Sequence, residues 1–338
     1  MDERIYPLTF TPALRDYIWG GRRLAELYGR ELPPGKIAES WEISGHPAAP
    51  TAADAGYWAG QPLPAILQAL GDALVGKRAS WALRRQKFPL LVKLLDCHEN
   101  LSVQVHPDDT YAQAHEGGEL GKTEMWYVLH ADPGSQIILG LQPGVTRDQF
   151  RQALDAGQQE LDGLLHRIPV AAGQAVAVPA GTIHALLGGV VVTEIQQNSD
   201  TTYRVWDWGR VDKDGKPRPL HVDKALDVIS WGAAGYGVSV PQVQSSVGGV
   251  TQSQLVRNQY FVVEEVILDA GASYLGTCDG ATMEIWGCVA GQATVISADD
   301  HRVELPSIRY ALIPAAMGDF EIAAHGPCTC LRVYLPRT

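Results

Sequence analysis

The chain has 338 residues, of which 46% are hydrophobic and 19% are charged, and its formal net charge is −11. This composition predicts about two folded domains and excludes a disordered chain. The acidic balance argues against nucleic acid or an anionic membrane surface as a partner, and no apolar run approaches the roughly 20 residues of a membrane span. Because the N-terminus carries acidic residues and no apolar signal core, we expect a cytoplasmic protein.

The predicted helices are few and short. Residues 64–78 place Ile66, Leu67, Leu70 and Leu74 on one face, which predicts a helix there. Residues 146–157 open with the capping-box spacing Thr-x-x-Gln and close at a glycine, and residues 221–230 carry apolar residues at helical spacing.

Most of the remaining chain is predicted to form short strands separated by Gly and Pro, a pattern typical of β-barrels or sandwiches. The predicted strands are residues 89–96, 101–106, 125–130, 136–141, 174–179, 190–197, 260–268, 283–289, 310–314 and 331–335. The five cysteines are too few and too scattered for a disulfide framework, so we expect buried free thiols.

The sequence contains a weak internal repeat. VPAGTIH (178–184) has an echo in IPAAMGD (313–319), and TEMWYV (123–128) has one in MEIWGCV (283–289), in the same order. The order supports a duplicated barrel whose second copy lacks metal ligands, because Asp319 replaces the histidine of the first copy. We predict one domain over residues 1–235 and a second over 236–338, connected within the uncharged stretch 231–250.

The segment GQAVAVPAGTIH (173–184) predicts two strands that meet at a tight turn, with His184 directed into a small barrel. It resembles the second sequence motif of the cupin superfamily, although Gly188 stands where that motif ends in asparagine. Further candidate donors are Gln104, His106 and Glu124. Two imidazoles, one carboxylate and an amide oxygen suit Zn²⁺ or another divalent ion with an open coordination position.

Several longer runs resemble the type I mannose-6-phosphate isomerases in their short bacterial form. These runs are WGG (19–21), GKIAESWEISGHP (35–47), FPLLVKLLDCHENLSVQVHPDD (88–109), GKTEMWYVL (121–129), VPAGTIHAL (178–186) and QQNSDTTYRVWDWGR (196–210). The strong similarity runs from about residue 17 to 230, whereas the last hundred residues fit loosely. The resemblance implies a mainly β fold of two cupin-type jelly-roll barrels with a few short helices.

The same resemblance implies the residues of the site. Metal ligands would be Gln104, His106, Glu124 and His184, holding one Zn²⁺ per chain; catalytic residues would be Arg204, Glu194 and Lys122; substrate-binding residues would be Lys93, Ser102, Arg210 and Glu39. The implied activity is isomerisation of mannose 6-phosphate and fructose 6-phosphate, with a small sugar phosphate as the partner and a monomer or weak homodimer as the assembly.

General chemistry is compatible with these assignments. Aldose–ketose isomerisation moves a proton between C1 and C2, and negative charge develops on the carbonyl oxygen, where a metal or a guanidinium stabilises it. Two other functions remain open at this point: a sugar-phosphate sensor that binds without turnover, and a non-haem iron cupin oxygenase. Gln104 in place of a histidine argues against the oxygenase.

Overall fold

The computed structural model describes residues 3–211, 214–233 and 237–337. The chain forms two compact units. The central unit comprises Leu14–Ser40 and Leu94–Ser239, and the terminal unit comprises the described residues of Met1–Ala13, Trp41–Lys93 and Val240–Thr338. The predicted domain boundary between residues 235 and 236 lies outside the described residues, so the division at that point stays a prediction.

The helices are short. They are α1 (Arg23–Tyr28), α2 (Leu63–Leu70), α3 (Asp72–Val75), a 3₁₀ turn (Lys77–Ala79), α4 (Ser80–Arg84), α5 (Asp109–His115), α6 (Arg147–Ala156), α7 (Gln158–Asp162) and α8 (Val222–Val228). Within the described part of the chain, every helix is too short or too polar to cross a membrane.

Strands make up most of the regular structure, which confirms the prediction of a mainly β protein. The first are β1 (Phe10–Thr11), β2 (Ala13–Arg15), β3 (Glu39–Ser44), β4 (Ala52–Ala53), β5 (Leu90–Cys97), β6 (Val103–Val105), β7 (Glu124–Ala131), β8 (Gln136–Leu141), β9 (Leu165–Pro169), β10 (Ala175–Val178), β11 (His184–Leu186), β12 (Val190–Gln197) and β13 (Tyr203–Trp206). The others are β14 (Gln242–Val247), β15 (Val250–Arg257), β16 (Val262–Leu268), β17 (Ser273–Cys278), β18 (Glu284–Ala290), β19 (Gln292–Ser297), β20 (Arg302–Pro306), β21 (Arg309–Ile313), β22 (Gly318–Ala324) and β23 (Cys328–Tyr334).

The strands of the central unit belong to two antiparallel sheets. Their orders are β10-β7-β12-β5-β3-β2 and β13-β6-β11-β8-β9. Trp126 and Val192 from the first sheet pack in one core cluster with Leu139 and Leu186 from the second. Because side chains alternate along a strand, Glu194 and Gln196 lie on the same face of β12 as Val192. Polar side chains thus replace valine on this face towards the end of the strand.

The terminal unit also contains two larger antiparallel sheets, with the orders β14-β15-β16-β23-β18-β21 and β17-β22-β19-β20. Trp286 and Ile313 from the first pack with Val295 and Phe320 from the second in a continuous apolar core. All five cysteines of the chain are buried free thiols, as predicted.

The predicted helix over residues 64–78 is wrong as a single element. The chain forms α2, α3 and a 3₁₀ turn instead, interrupted at Gly71 and Gly76. Both glycines have positive φ, 51° and 83°, which lies outside helical geometry. The predicted helices over residues 146–157 and 221–230 are confirmed as α6 and α8.

The internal repeat is visible in the strand register. Val178, which precedes Pro179 in the first copy, pairs with Glu124 at the start of β7. Ile313, which precedes the proline of the second copy, pairs with Glu284 at the start of β18. Each copy therefore places a glutamate opposite the same motif position, within its own unit.

Candidate metal centre and active site

Three of the predicted metal ligands meet in the interior of the central unit. His106, Glu124 and His184 are buried, and one donor atom of each lies within 4.8 Å of the others. The two carboxylate oxygens of Glu124 divide between the imidazoles, each 3.4 Å from an Nε2 atom. Gln104 adjoins this group through its Nε2 atom, 3.3 Å from Nε2 of His184. A half-turn of its amide would present the oxygen instead.

The strand pairing explains why these residues meet. Gln104 in β6 lies opposite His184 of β11 on one side and opposite Arg204 of β13 on the other. Directly opposed residues of antiparallel strands project from the same face of the sheet. Glu124 opens β7 in the other sheet, where it pairs with Gln196 of β12. The ligands thus come from the facing sides of two sheets.

Both imidazoles are oriented by backbone carbonyl groups. Nδ1 of His106 lies 2.9 Å from the carbonyl oxygen of Thr201, and Nδ1 of His184 lies 2.9 Å from that of Thr182. A carbonyl oxygen can only accept, so each Nδ1 carries the proton and each Nε2 presents its lone pair towards Glu124. This arrangement is the usual support behind a metal-binding histidine.

The electrostatics of the group favour the protonation states that metal binding needs. Burial, reinforced by the ammonium group of Lys122, lowers the pKa of His106 to about 3, and burial also lowers the pKa of His184. Burial alone would raise the pKa of Glu124, but the positive charge of Lys122 holds it well below its usual range. At neutral pH the imidazoles are therefore neutral and the carboxylate is ionised.

The donors fit a divalent cation. The Oε1 atom of Glu124 is fully buried and has no hydrogen-bond donor in the described part of the chain. An unpaired buried carboxylate oxygen is unfavourable, and a cation placed between it and the Nε2 atom of His184 would satisfy both groups. The group already binds one positively charged side chain, because the ammonium of Lys122 contacts Glu124 and lies 3.0 Å from Nε2 of His106.

A second buried carboxylate lies next to the cluster. Glu194 in β12 accepts a hydrogen bond of 3.1 Å from Nε1 of Trp126, and its other oxygen lies 3.7 Å from the ammonium of Lys122. Trp126 and Glu124 are two residues apart in β7 and therefore share a face. The structure thus brings Lys122, Glu124 and Glu194 into one polar group with the imidazoles.

Comparison with known proteins identifies the family. Residues 8–135 match a family model for the catalytic domain of type I phosphomannose isomerase. A mannose-6-phosphate isomerase from Streptococcus mutans is 39% identical over 257 residues, which are 76% of this chain and 77% of that protein. Mannose-6-phosphate isomerase ManA from Bacillus subtilis is 33% identical over 322 residues, 95% of this chain and 97% of that protein. The chain belongs to the type I phosphomannose isomerase family.

The fold agrees with this family. The crystal structure of the mannose 6-phosphate isomerase from Bacillus subtilis superposes with a TM-score of 0.86 at 33% identity, covering 97% of this chain and 99% of that chain. Type I phosphomannose isomerases depend on a metal, and the buried His–Glu–His group is the place in this member that could hold one.

Two arginines of the predicted site lie after the candidate metal ligands in the sequence. Arg204 lies opposite Gln104 in the sheet, and its Nη1 donates 2.9 Å to the carbonyl of Pro219. Its buried Nε atom has no hydrogen-bond partner among the described residues. Arg210 donates to the backbone carbonyl of Asn100 and, at 2.7 Å, to a carboxylate oxygen of Asp207.

The other predicted substrate contacts lie in different surroundings. Ser102 is buried, with its Oγ atom 3.5 Å from Oε1 of Gln104. Glu39 is half-buried at the start of β3 in the central unit. Lys93 belongs to the terminal unit, where it is buried with its ammonium 4.4 Å from the ring centroid of Trp41.

Sequence reasoning missed two groups in this region. Asp207 binds both Arg210 and a third arginine, Arg218, which follows the sheet in the segment before α8. The sequence signal was a cationic residue between two prolines, Pro217 and Pro219, in the segment before α8. The carbonyls that orient the imidazoles carry no side-chain signal at all.

Proposed function

We propose that this chain interconverts mannose 6-phosphate and fructose 6-phosphate through an enediol-type intermediate. The observation that carries the proposal is the buried group of two neutral imidazoles and an ionised carboxylate beside a second buried carboxylate, Glu194. The similarity to mannose-6-phosphate isomerases from Streptococcus mutans and Bacillus subtilis supports this substrate.

We assign one Zn²⁺ per chain to Gln104, His106, Glu124 and His184. Nitrogen and carboxylate donors with a free coordination position are typical of catalytic zinc. When bound, the ion acts as a Lewis acid that polarises a substrate oxygen.

Glu194 is the proposed base. From mannose 6-phosphate, its carboxylate removes the proton from C2 and delivers it to C1, while the hydroxyl proton passes from O2 to O1 and the carbonyl forms at C2. Its hydrogen bond from Trp126 fixes the carboxylate, and its position in a buried strand limits water. The two other proposed catalytic residues are Arg204 and Lys122, whose ammonium lies 3.7 Å from Glu194.

Arg204 is proposed to stabilise the oxygen on which negative charge develops. Its backbone is fixed directly opposite Gln104, and its Nε atom is buried without a partner among the described residues. A guanidinium held in a site of low polarity stabilises such charge more strongly than it would in water. Lys93, Ser102, Arg210 and Glu39 are the proposed substrate-binding residues.

The proposal extends to the barrel architecture, the domain boundaries, the cellular location and the assembly of the protein. Two cupin-type jelly-roll barrels are supported by the two larger antiparallel sheets of each unit and by the apolar clusters packed between their strands. The proposed domains are a catalytic one over residues 1–235 and a degenerate one over 236–338. A cytoplasmic location is supported by the five free thiols. A monomer or weak homodimer without nucleic-acid or membrane partners completes the proposal.

A coupled isomerase assay tests the function. Purified protein loaded with Zn²⁺ should convert mannose 6-phosphate to fructose 6-phosphate, and glucose 6-phosphate serves as the control substrate. Binding of mannose 6-phosphate without turnover would instead indicate a sensor, and uptake of dioxygen would indicate an oxygenase. Either result would contradict the isomerase.

A further inference from the structure

The segment before α8 folds back along β13 and fixes the position of Arg204. The backbone N–H of His221 donates 2.7 Å to the carbonyl of Arg204, and Nδ1 of His221 accepts from the N–H of Arg204 at 3.3 Å. Arg204 also donates from Nη1 to the carbonyl of Pro219. These bonds hold Arg218, the residue before Pro219, beside the end of β13.

A single carboxylate binds the two other arginines. Arg218 donates from Nε to one oxygen of Asp207 at 2.7 Å and from Nη2 to the other at 2.5 Å. Arg210 donates from Nη2 to the same second oxygen. Burial of Asp207 opposes ionisation, but the two guanidinium groups lower its pKa below the usual range, so it is a carboxylate at neutral pH.

The resulting cluster has more positive than negative charge. Arg204, Arg210 and Arg218 carry three positive charges, and Asp207 supplies one negative charge. Burial lowers the pKa of Arg204, and repulsion from Arg218 and Arg210 adds to the effect. An excess of like charge in a half-buried place is unfavourable, so the cluster is suited to an anion that carries about two negative charges, as a phosphate monoester does.

The donors needed for such an anion are open. Asp207 occupies the Nε–Nη2 edge of Arg218, whereas Nη1 of Arg218 makes no hydrogen bond within the described part of the chain. Arg210 binds protein oxygens through Nε, Nη1 and Nη2, and each of its two Nη atoms keeps a second N–H for a ligand. Asp207 therefore holds a planar donor group in place and leaves one end of it free to bind a ligand.

We propose that Arg218 binds the phosphate group of the substrate together with Arg210, and that Asp207 positions both guanidinium groups. This inference rests on the proposed isomerase function, since it names a specificity-determining residue for that substrate. It explains how the site distinguishes a phosphorylated hexose from a free one.

Arg218→Gln tests the proposal, with Arg151→Gln as the matched control because Arg151 in α6 also binds an aspartate, Asp223, at 2.7 Å. The KM for mannose 6-phosphate should rise about tenfold or more in Arg218→Gln, because a charged donor to the phosphate is lost, while kcat changes less than about threefold. The inhibition constant of inorganic phosphate should rise by a similar factor. The control should keep both values.

A binding measurement separates this inference from the proposed function. Inorganic phosphate should raise the melting temperature of the zinc-loaded wild-type protein, and Arg218→Gln should lose that shift. Should Arg218→Gln fail to fold, Arg218→Lys, which keeps the charge but not the planar edge, should still weaken phosphate inhibition. An active enzyme in which either variant leaves KM and phosphate inhibition unchanged would overturn the role of Arg218. A protein without isomerase activity whose phosphate-induced shift depends on Arg218 would instead refute only the function.

Discussion

At the scale of single residues, each imidazole of the candidate metal centre is oriented by a backbone carbonyl that accepts from Nδ1, while its Nε2 atom lies 3.4 Å from a carboxylate oxygen of Glu124. The ring cannot rotate without breaking the Nδ1 bond, so the donor direction exists before any metal binds. Pre-orientation of this kind raises affinity because little conformational entropy remains to be lost.

Loss of one imidazole should therefore abolish metal binding. We expect His106→Ala and His184→Ala to retain less than about a tenth of the wild-type zinc and no measurable turnover, because too few protein donors remain. His166→Ala is the matched control, since Nδ1 of His166 also binds a backbone carbonyl, that of Leu139, outside the cluster. Metal analysis by mass spectrometry together with the isomerase assay decides. Full zinc content in His184→Ala would contradict the ligand set.

Arg204 and Arg210 should differ in their kinetic effects. Arg204→Ala should lower kcat by roughly 10²–10³ with zinc retained, as for the loss of an oxyanion partner. Arg210→Ala should act mainly on KM, the effect of lost binding that is equal in ground and transition states. Steady-state kinetics on metal-verified samples measure both. A kcat for Arg204→Ala within about twofold of wild type would remove its catalytic role.

The grouping of His106, Glu124 and His184 could be predicted from the sequence, whereas the backbone contacts behind the imidazoles could not. Gln104 and His106 alternate in a strand and His184 follows a turn motif, so residue type and period placed them together. The carbonyls of Thr182 and Thr201 can be supplied by any residue, so no sequence pattern indicates them. Arg218 was missed for a related reason, because its position depends on backbone bonds to Arg204.

At the scale of elements, α6 shows how far local sequence determines a helix. Thr146 accepts a hydrogen bond of 3.3 Å from the N–H of Gln149, and Gln149 accepts one of 2.9 Å from the N–H of Thr146. This reciprocal pair is the capping box that the spacing predicted. The two residues that make the cap are three positions apart in sequence, so no tertiary information was needed.

Thr146→Ala should destabilise the fold around α6 by about 1 kcal/mol, because the first turn loses a side-chain acceptor for an otherwise unpaired N–H. Thr146→Ser keeps a hydroxyl at the cap and should lie within about 0.5 kcal/mol of wild type. Urea unfolding measures both. Equal destabilisation by the two substitutions would show that the methyl group, not the hydrogen bond, is responsible.

The break in the predicted helix over residues 64–78 has the opposite origin. A Cβ atom at Gly76 would lie 2.6 Å from backbone atoms of Thr282, a residue more than two hundred positions away. The apolar period of residues 64–78 is real, but this long-range approach and a positive φ at Gly76 override it. Local periodicity contains no information about such an approach.

At the scale of the whole molecule, the two copies of the repeat differ in the cation that binds their corresponding glutamates, Glu124 in the first copy and Glu284 in the second. In the terminal unit, Glu284 accepts from Arg332 and from Nε1 of Trp286 at 2.8 Å. Glu264 accepts from the same guanidinium at 3.2 Å. Asp319, at the position of His184, is exposed and accepts from Thr277. The guanidinium of Arg332 is thus the cation that binds both Glu284 and Glu264 in the terminal unit.

We therefore expect the purified, tag-free protein to contain close to one equivalent of tightly bound zinc per chain. The guanidinium of Arg332 already binds Glu284 and Glu264, and the described residues of the terminal unit contain no group of three side chains that could hold a metal ion. Metal analysis after extensive dialysis tests this. Two equivalents, or one that persists in His184→Ala, would show that the terminal unit binds metal.

The contact of Lys122 with Glu124 has a consequence for the life of the protein in a cell. Because the ammonium group of Lys122 already compensates the buried carboxylate, we expect a newly made chain to fold before it binds a metal and later loading to replace one cation by another. Starvation for metal should then silence the protein without sending it to the proteases that remove unfolded chains.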